Sequence, residues 1–227
     1  MPSSVRMFGF VLGMLAAGAL PTAATAQNEQ SRTPALDRLE YKGFVVNVSP
    51  IQSAPNRDAL LTSLRRQFDI VTGVGLDEAT LDFFRSNPIV IDSASAADPA
   101  YKGTAARYAR KFKPIPKQGV PGTMTIVPGM YNPTAPIFLH ELLHAFHDQK
   151  LPGAYDNPEI LRFFEEAREK HLFPDTSYMM LRVNEYFAMV GSAYLYGSVN
   201  RDPFTRENLE TRQLDIYAWF VKEFGRR

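Results

Sequence analysis

The 227-residue chain predicts an α+β fold, a small N-terminal sheet with helices followed by a C-terminal helical part. Three observations carry this. Every short run rich in β-branched residues lies before Pro128, and every long segment of helical apolar spacing after it is bounded by proline or glycine. No repeat, low-complexity block or linker divides the chain, so one domain is expected over 41–227.

In order, "GFVVNVSP" (43–50) reads as a strand ended by proline. Asn56 is placed to cap a helix through "RDALLTSLRRQFDIV", where Leu60, Leu61, Leu64 and Phe68 share a face. "LDEATLDFFRS" (76–86) is a short helix that stops before Asn87-Pro88. "PIVID" (88–92) and "GTMTIV" (122–127) are strands, with "TAARYARKF" between them ambiguous between helix and strand. "TAPIFLHELLHAFHDQKL" is a helix with Pro136 near its first turn and Pro152-Gly153 beyond its end. Residues 157–172 form a helix capped by Asn157 with Pro158 at its first position. A long helix is expected within 176–197, stopped by Gly197. Leu214, Tyr217, Phe220, Val221 and Phe224 mark one or two closing helices.

The N-terminus has the layout of a secretory signal peptide, with Arg6, an apolar run from Met7 to Leu20, and Ala24-Thr25-Ala26 as a cleavage site. That run is shorter than the about 20 apolar residues a membrane span needs. Cleavage after Ala26 leaves 227 − 26 = 201 residues, begins a polar lead-in over 27–40, and implies a periplasmic or secreted protein with no stable membrane association. The chain has no cysteine, so disulfides and cysteine-borne lipid are excluded. A formal charge of +1 argues against bulk capture of nucleic acid, and the basic cluster 107–113 reads as a solvated face.

The chemistry is concentrated in "FLHELLHAFHD" (138–148). His140 and His144, one helical turn apart, aim both imidazoles at one point, a spacing suited to Zn2+. Glu141 stands about 100° around the helix, beside the ligands, where it can act as a general base. His147 lies about 10.5 Å along the axis from His140, too far to share the ion, and is expected to face solvent or to support a ligand. The third ligand is expected at Glu185, on the apolar helix containing "NEYFAM", which leaves a fourth position open as in catalytic sites. His171 reads as a surface residue.

HELLH followed by an N-E-Y-F-A helix, with a tyrosine seven residues before the glutamate, resembles the lethal-factor-like zinc metallopeptidases of the gluzincin group. The resemblance covers roughly 120–225 and implies a zincin-like peptidase domain. It further implies zinc on His140, His144 and Glu185, Glu141 as general base, Tyr178 assisting at the transition state, and a peptide or protein substrate. Seven residues is two helical turns, which also places Tyr178 on the face of Glu185, while Tyr155 in "PGAYDNP" is a rival for the same role. The chain departs from the pattern at Met189, where an acidic residue often supports a histidine; Asn184, Ser192 and Asp148 are candidate substitutes. "GTMTIV" is expected as the edge strand that pairs with substrate, and loops 128–135, 151–158 and 197–204 as the carriers of specificity. Two other readings stay open: a catalytically inactive binding protein that keeps the peptidase fold, and a metal-dependent hydrolase of non-peptide substrates. The second is disfavoured by few cations near the motif beyond Lys150 and Arg182.

Overall fold

Five short strands form one sheet in the order β1-β2-β3-β5-β4 in the computed structural model, which describes residues 37–93, 105–115 and 119–227. The strands are β1 (Arg38–Tyr41), β2 (Phe44–Asn47), β3 (Ile89–Ile91), β4 (Ala106–Tyr108) and β5 (Met124–Ile126). β1 and β2 pair antiparallel, β2–β3 and β3–β5 parallel, and β4 runs antiparallel to β5 with Arg107 opposite Thr125. The seven helices among the described residues are α1 (Arg57–Gly73), α2 (Glu78–Ser86), α3 (Ile137–Gln149), α4 (Pro158–Glu169), α5 (Val183–Tyr196), α6 (Arg206–Arg212) and α7 (Leu214–Phe224). The arrangement is α+β, and the described residues belong to the compact unit Ala35–Arg227. None of the described helices is long and apolar enough to cross a membrane. The expected signal peptide (1–26) and residues 27–36 of the expected lead-in lie outside the described residues.

Three expectations need correction. Arg38–Glu40 were assigned to the lead-in, yet they pair with β2, because a strand at a sheet edge needs only one inward residue, here Leu39. β5 is not an edge: it lies between β3 and β4, and all three of its residues are buried, as a central strand requires. The edge on that side is β4, the segment whose type the sequence left open. Finally, the long helix expected within 176–197 is broken. Residues Tyr178–Leu181 form a 3-10 turn, Arg182 is extended (φ −157°, ψ 150°), and α5 starts at Val183.

The core joins α1 to the sheet and to α3. Phe44 of β2 stacks on Phe68 of α1 at 4.5 Å, and Phe68 meets Phe138 of α3 edge-on at 5.3 Å. On the other side α5 crosses α3 closely at Gly191, where an added Cβ would stand 3.0 Å from Leu143 Cδ1 and 3.2 Å from Phe220. Gly197 then ends α5 in the left-handed conformation (φ 96°), with its amide bonded to the Ala193 carbonyl. Phe187, Phe220 and Tyr194 close this half of the core against α7. The close crossing of α3 and α5 is what brings the two halves of the candidate site together.

Candidate metal centre

α3 begins at a proline, which has no amide proton and no side-chain cap, and its first turn is held from another element. The fully buried Gln67 of α1 accepts through Oε1 from the amides of Ile137 and Phe138 (3.0 and 3.2 Å) and donates through Nε2 to the carbonyls of Asn132 and Ala135. A single amide side chain thus caps the helix and pins the loop before it. Sequence reasoning missed Gln67; within an amphipathic helix nothing distinguishes it from a surface glutamine. Phe138, Leu139, Leu142, Leu143 and Phe146 are then buried almost completely, which fixes the rotation of α3 and turns His140, Glu141 and His144 toward the cleft between β4 and α5.

Three side chains meet there. His140 Nε2 and His144 Nε2 are 3.1 Å apart, and Glu185 Oε2 of α5 is 3.3 Å from the first and 3.5 Å from the second. One ligand atom from each residue lies within 4.8 Å of the others. Charge-assisted hydrogen bonds prefer about 2.7–2.9 Å. A tetrahedral ion with ligand bonds of about 2.0–2.1 Å sets its ligand atoms about 3.3 Å apart. The triangle fits the ion better than it fits a hydrogen-bonded cluster.

The remaining contacts sort the candidate supporting residues. Asn184 Nδ2 donates to Glu185 Oε1 at 3.1 Å, so it orients the carboxylate rather than a histidine. Asp148 Oδ2 accepts from the Tyr108 hydroxyl at 2.9 Å and from the amides of Lys111 and Phe112, tying the β4 edge to α3. Among the described residues Ser192 Oγ has no partner, and neither does His144 Nδ1. None of the three replaces the acidic support absent at Met189. His147 is not solvent-facing: it is fully buried between Phe187 (4.5 Å) and Tyr155 (4.9 Å), because α3 is enclosed on nearly all sides. Burial, with His144 and Arg110 adding to it, holds its imidazole down at about 3, in the neutral form. His171 is on the surface beside Asp175, as expected.

Electrostatics separate the two carboxyls. Burial pushes Glu141 up to about 7; the positive influence of His140 opposes this, the Glu185 charge adds to it, and the Tyr108 amide opposes it. Burial acts upward on Glu185 too, but hydrogen bonding from His140 and His144 outweighs it and holds that carboxyl well below the usual range. Tyr178, 39% exposed, stands over the same cleft, and its phenol is pushed up by burial and then by Glu185. Its proximity does not come from sharing a helix face with Glu185, because the chain breaks between them. Tyr155 is buried; its ring borders the cleft, but its hydroxyl donates to the His144 carbonyl at 3.4 Å.

Two cavities open on the centre. One of about 370 Å³ is lined by Ile137, His140, Glu141, Tyr178, Met189 and Arg201 among others. The second, of about 650 Å³, is bounded by β4, Glu141, His144, Tyr155, Tyr178 and Glu185. Ala135 and residues 199–201 line the first, so two of the three expected specificity loops reach the site; the third contributes Tyr155 to the second cavity. The second also contains Arg107 and Arg110 of the cluster expected to be a solvated face, brought there by β4 and the chain after it, while Lys111, Phe112 and Lys113 of that cluster are exposed as expected.

No protein-family model matches the chain, and no curated protein matches it. Among solved structures, it is similar to the Pro-Pro endopeptidase from Paenibacillus alvei. That match has 20% identity and a TM-score of 0.47, over 76% of this chain and 95% of the other.

Proposed function

We propose that the protein is an exported zinc-dependent peptidase, zincin-like in architecture and lethal-factor-like in its site. The observation that carries this is the 3.1–3.5 Å triangle of His140, His144 and Glu185, with a buried carboxyl beside it at Glu141. His140, His144 and Glu185 are the zinc ligands in this reading. Bound zinc supplies a Lewis acid that acidifies water and polarises the scissile carbonyl. Glu141, with a carboxyl pushed up to about 7, is matched to taking a proton near neutral pH and returning it to the departing amine. Tyr178 keeps its phenolic proton, since its shift is upward, and donates to the oxyanion.

A peptide substrate is favoured by β4. No described strand pairs with its outer edge, and Ala106 and Tyr108 border the cavity that holds Glu141. An extended peptide adds to such an edge through main-chain hydrogen bonds, which delivers its carbonyl beside the metal.

The test is Glu141→Gln. The variant is expected to retain one zinc per chain and lose peptide cleavage. Full activity in this variant overturns the role of Glu141. Zinc binding by the wild type without any peptide cleavage supports the inactive binding protein instead, and turnover of a phosphodiester supports the other hydrolase. Export is tested separately by mass analysis of the periplasmic and secreted protein, with Gln27 expected as the first residue.

A further inference from the structure

The larger cavity beside the metal centre holds more positive charge than its own acids balance. Three arginines line it: Arg107 and Arg110 from β4 and the chain after it, and Arg182 at the extended break before α5. Arg107 is paired with Asp92 at 3.4 Å. Arg110 lies 4.5 Å over the Tyr155 ring, its buried Nε has no hydrogen-bond partner, and it makes no ion pair among the described residues. Arg182 is exposed and likewise unpaired among the described residues.

The nearby carboxylates among the described residues are already engaged. Glu141 and Glu185 belong to the metal centre, Asp148 accepts three hydrogen bonds from β4 and the residues after it, and Asp156 is paired with Lys113 at 2.5 Å. Two guanidinium groups without an ion pair among the described residues therefore line one cavity, Arg110 with Asp156 within electrostatic reach, next to a site that would take a further two positive charges with its ion. Guanidinium forks are shaped for carboxylates and phosphates, and of these a peptide substrate supplies the first. The smaller cavity differs, with Ile137 and Met189 among its walls and one arginine, Arg201, stacked on Tyr178 at 4.5 Å.

We propose that Arg110 and Arg182 form a subsite for an acidic side chain of the substrate, so that the cleft selects peptides carrying Asp or Glu on the β4 side of the scissile bond. The inference rests on the peptidase reading above and deepens it. A carboxylate held there replaces solvent around the guanidinium groups.

The experiment uses blocked peptides, N-acetylated and C-amidated, and the same peptides with a free C-terminal carboxylate, with Glu, Gln or Lys scanned through each position near the cleavage site. Cleavage by the zinc-loaded protein and equilibrium binding to zinc-loaded Glu141→Gln are both read. Glu is expected to exceed Gln at one position by about tenfold in kcat/KM and in affinity, and Lys is expected to be rejected there. In Arg110→Gln and Arg182→Gln the Glu-to-Gln ratio is expected to fall toward one, and Arg182→Glu is expected to shift the preference toward Lys. Cleavage with equal ratios at every position overturns the subsite and leaves the peptidase reading standing. Selective binding of acidic peptides without cleavage by the wild type keeps the subsite and overturns the peptidase. Binding that requires a free C-terminal carboxylate overturns the assignment to a side chain, and the absence of both binding and cleavage overturns both proposals.

Discussion

In metal-free protein, Glu141→Gln is expected to stabilise the fold at alkaline pH and to do little at acidic pH. The Glu141 carboxyl is raised from 4.5 to about 7, first by burial. A carboxyl raised in the folded state leaves stability intact below its unfolded value, and that stability is lost as pH rises through the folded value. With these two values, ionisation costs the fold roughly 3 kcal/mol at pH 8 and under about 1 kcal/mol at pH 5. Gln has the same shape and no charge to bury, so the variant escapes the cost. Two neighbouring groups titrate as well. Glu185, held low, loses its stabilising effect only on acidification below 4.5. His147, lowered from 6.5 to about 3, weakens the fold as pH falls below 6.5, but it does so in both proteins and cancels in the comparison. The assay is urea unfolding in chelator at pH 5, 6, 7 and 8, with midpoints compared at unchanged slope. The variant should gain roughly 2–3 kcal/mol on the wild type between the two ends. A difference that stays constant over this range refutes the burial account of Glu141.

Other expectations follow from single contacts. Free zinc at 100 times its dissociation constant should stabilise the wild type by about 2.7 kcal/mol, and Glu185→Ala should show little of this shift at the same concentration, read by thermal melting. Tyr178→Phe should lower kcat by about a hundredfold with zinc content unchanged. Tyr155→Phe removes only the bond to the His144 carbonyl and should cost about 1 kcal/mol of stability, so steady-state kinetics on the pair separate the two tyrosines. Gln67→Leu removes four hydrogen bonds before and at the start of α3, of which the Phe138 amide alone loses its described partner outright, and should destabilise by about 1–3 kcal/mol in urea. Asp148→Ala removes three hydrogen bonds between α3 and the β4 segment, leaving Tyr108 held to α3 through Gln149, should cost about 2–3 kcal/mol, and should raise KM for peptides through a loosened β4.

What the sequence made legible was local. Asn157 before Pro158 does cap α4, its side chain accepting from the Glu159 and Ile160 amides, and Gly197 ends α5. Asn56 also stands at the N-cap position of α1, but its side chain makes no capping bond, so adjacent residues mark where a helix starts more surely than how its first turn is satisfied. The histidine pair was likewise legible from adjacent residues, and Glu185 because a carboxylate in an apolar helix needs a partner. Strand order was not legible. "GTMTIV" and "ARY" are both short and β-compatible, and only their pairing decides which one lies between β3 and β4. That decision makes β4 the edge proposed to pair with substrate and brings Arg107 and Arg110 to the cleft. Gln67 escaped notice because its four partners are contributed by residues 132–138, far along the chain.

Tyr178 shows how a right neighbourhood can follow from a wrong geometry. Seven residues along a straight helix is about 10.5 Å, the separation that keeps His147 from sharing an ion with His140. The same distance would hold a tyrosine on an unbroken helix two turns away from Glu185. It is near Glu185 because the helix is interrupted: the extended Arg182 folds the turn Tyr178–Leu181 back over the start of α5. No proline or glycine marks that break, and what compensates it is burial, with Met179 and Met180 packed into the core while Tyr178 and Leu181 stay exposed. The interruption therefore does two things at once. It brings the phenol to the metal centre, and it leaves Arg182 extended at the wall of the larger cavity, so the proposed proton donor and the proposed acid-binding residue depend on one turn of chain.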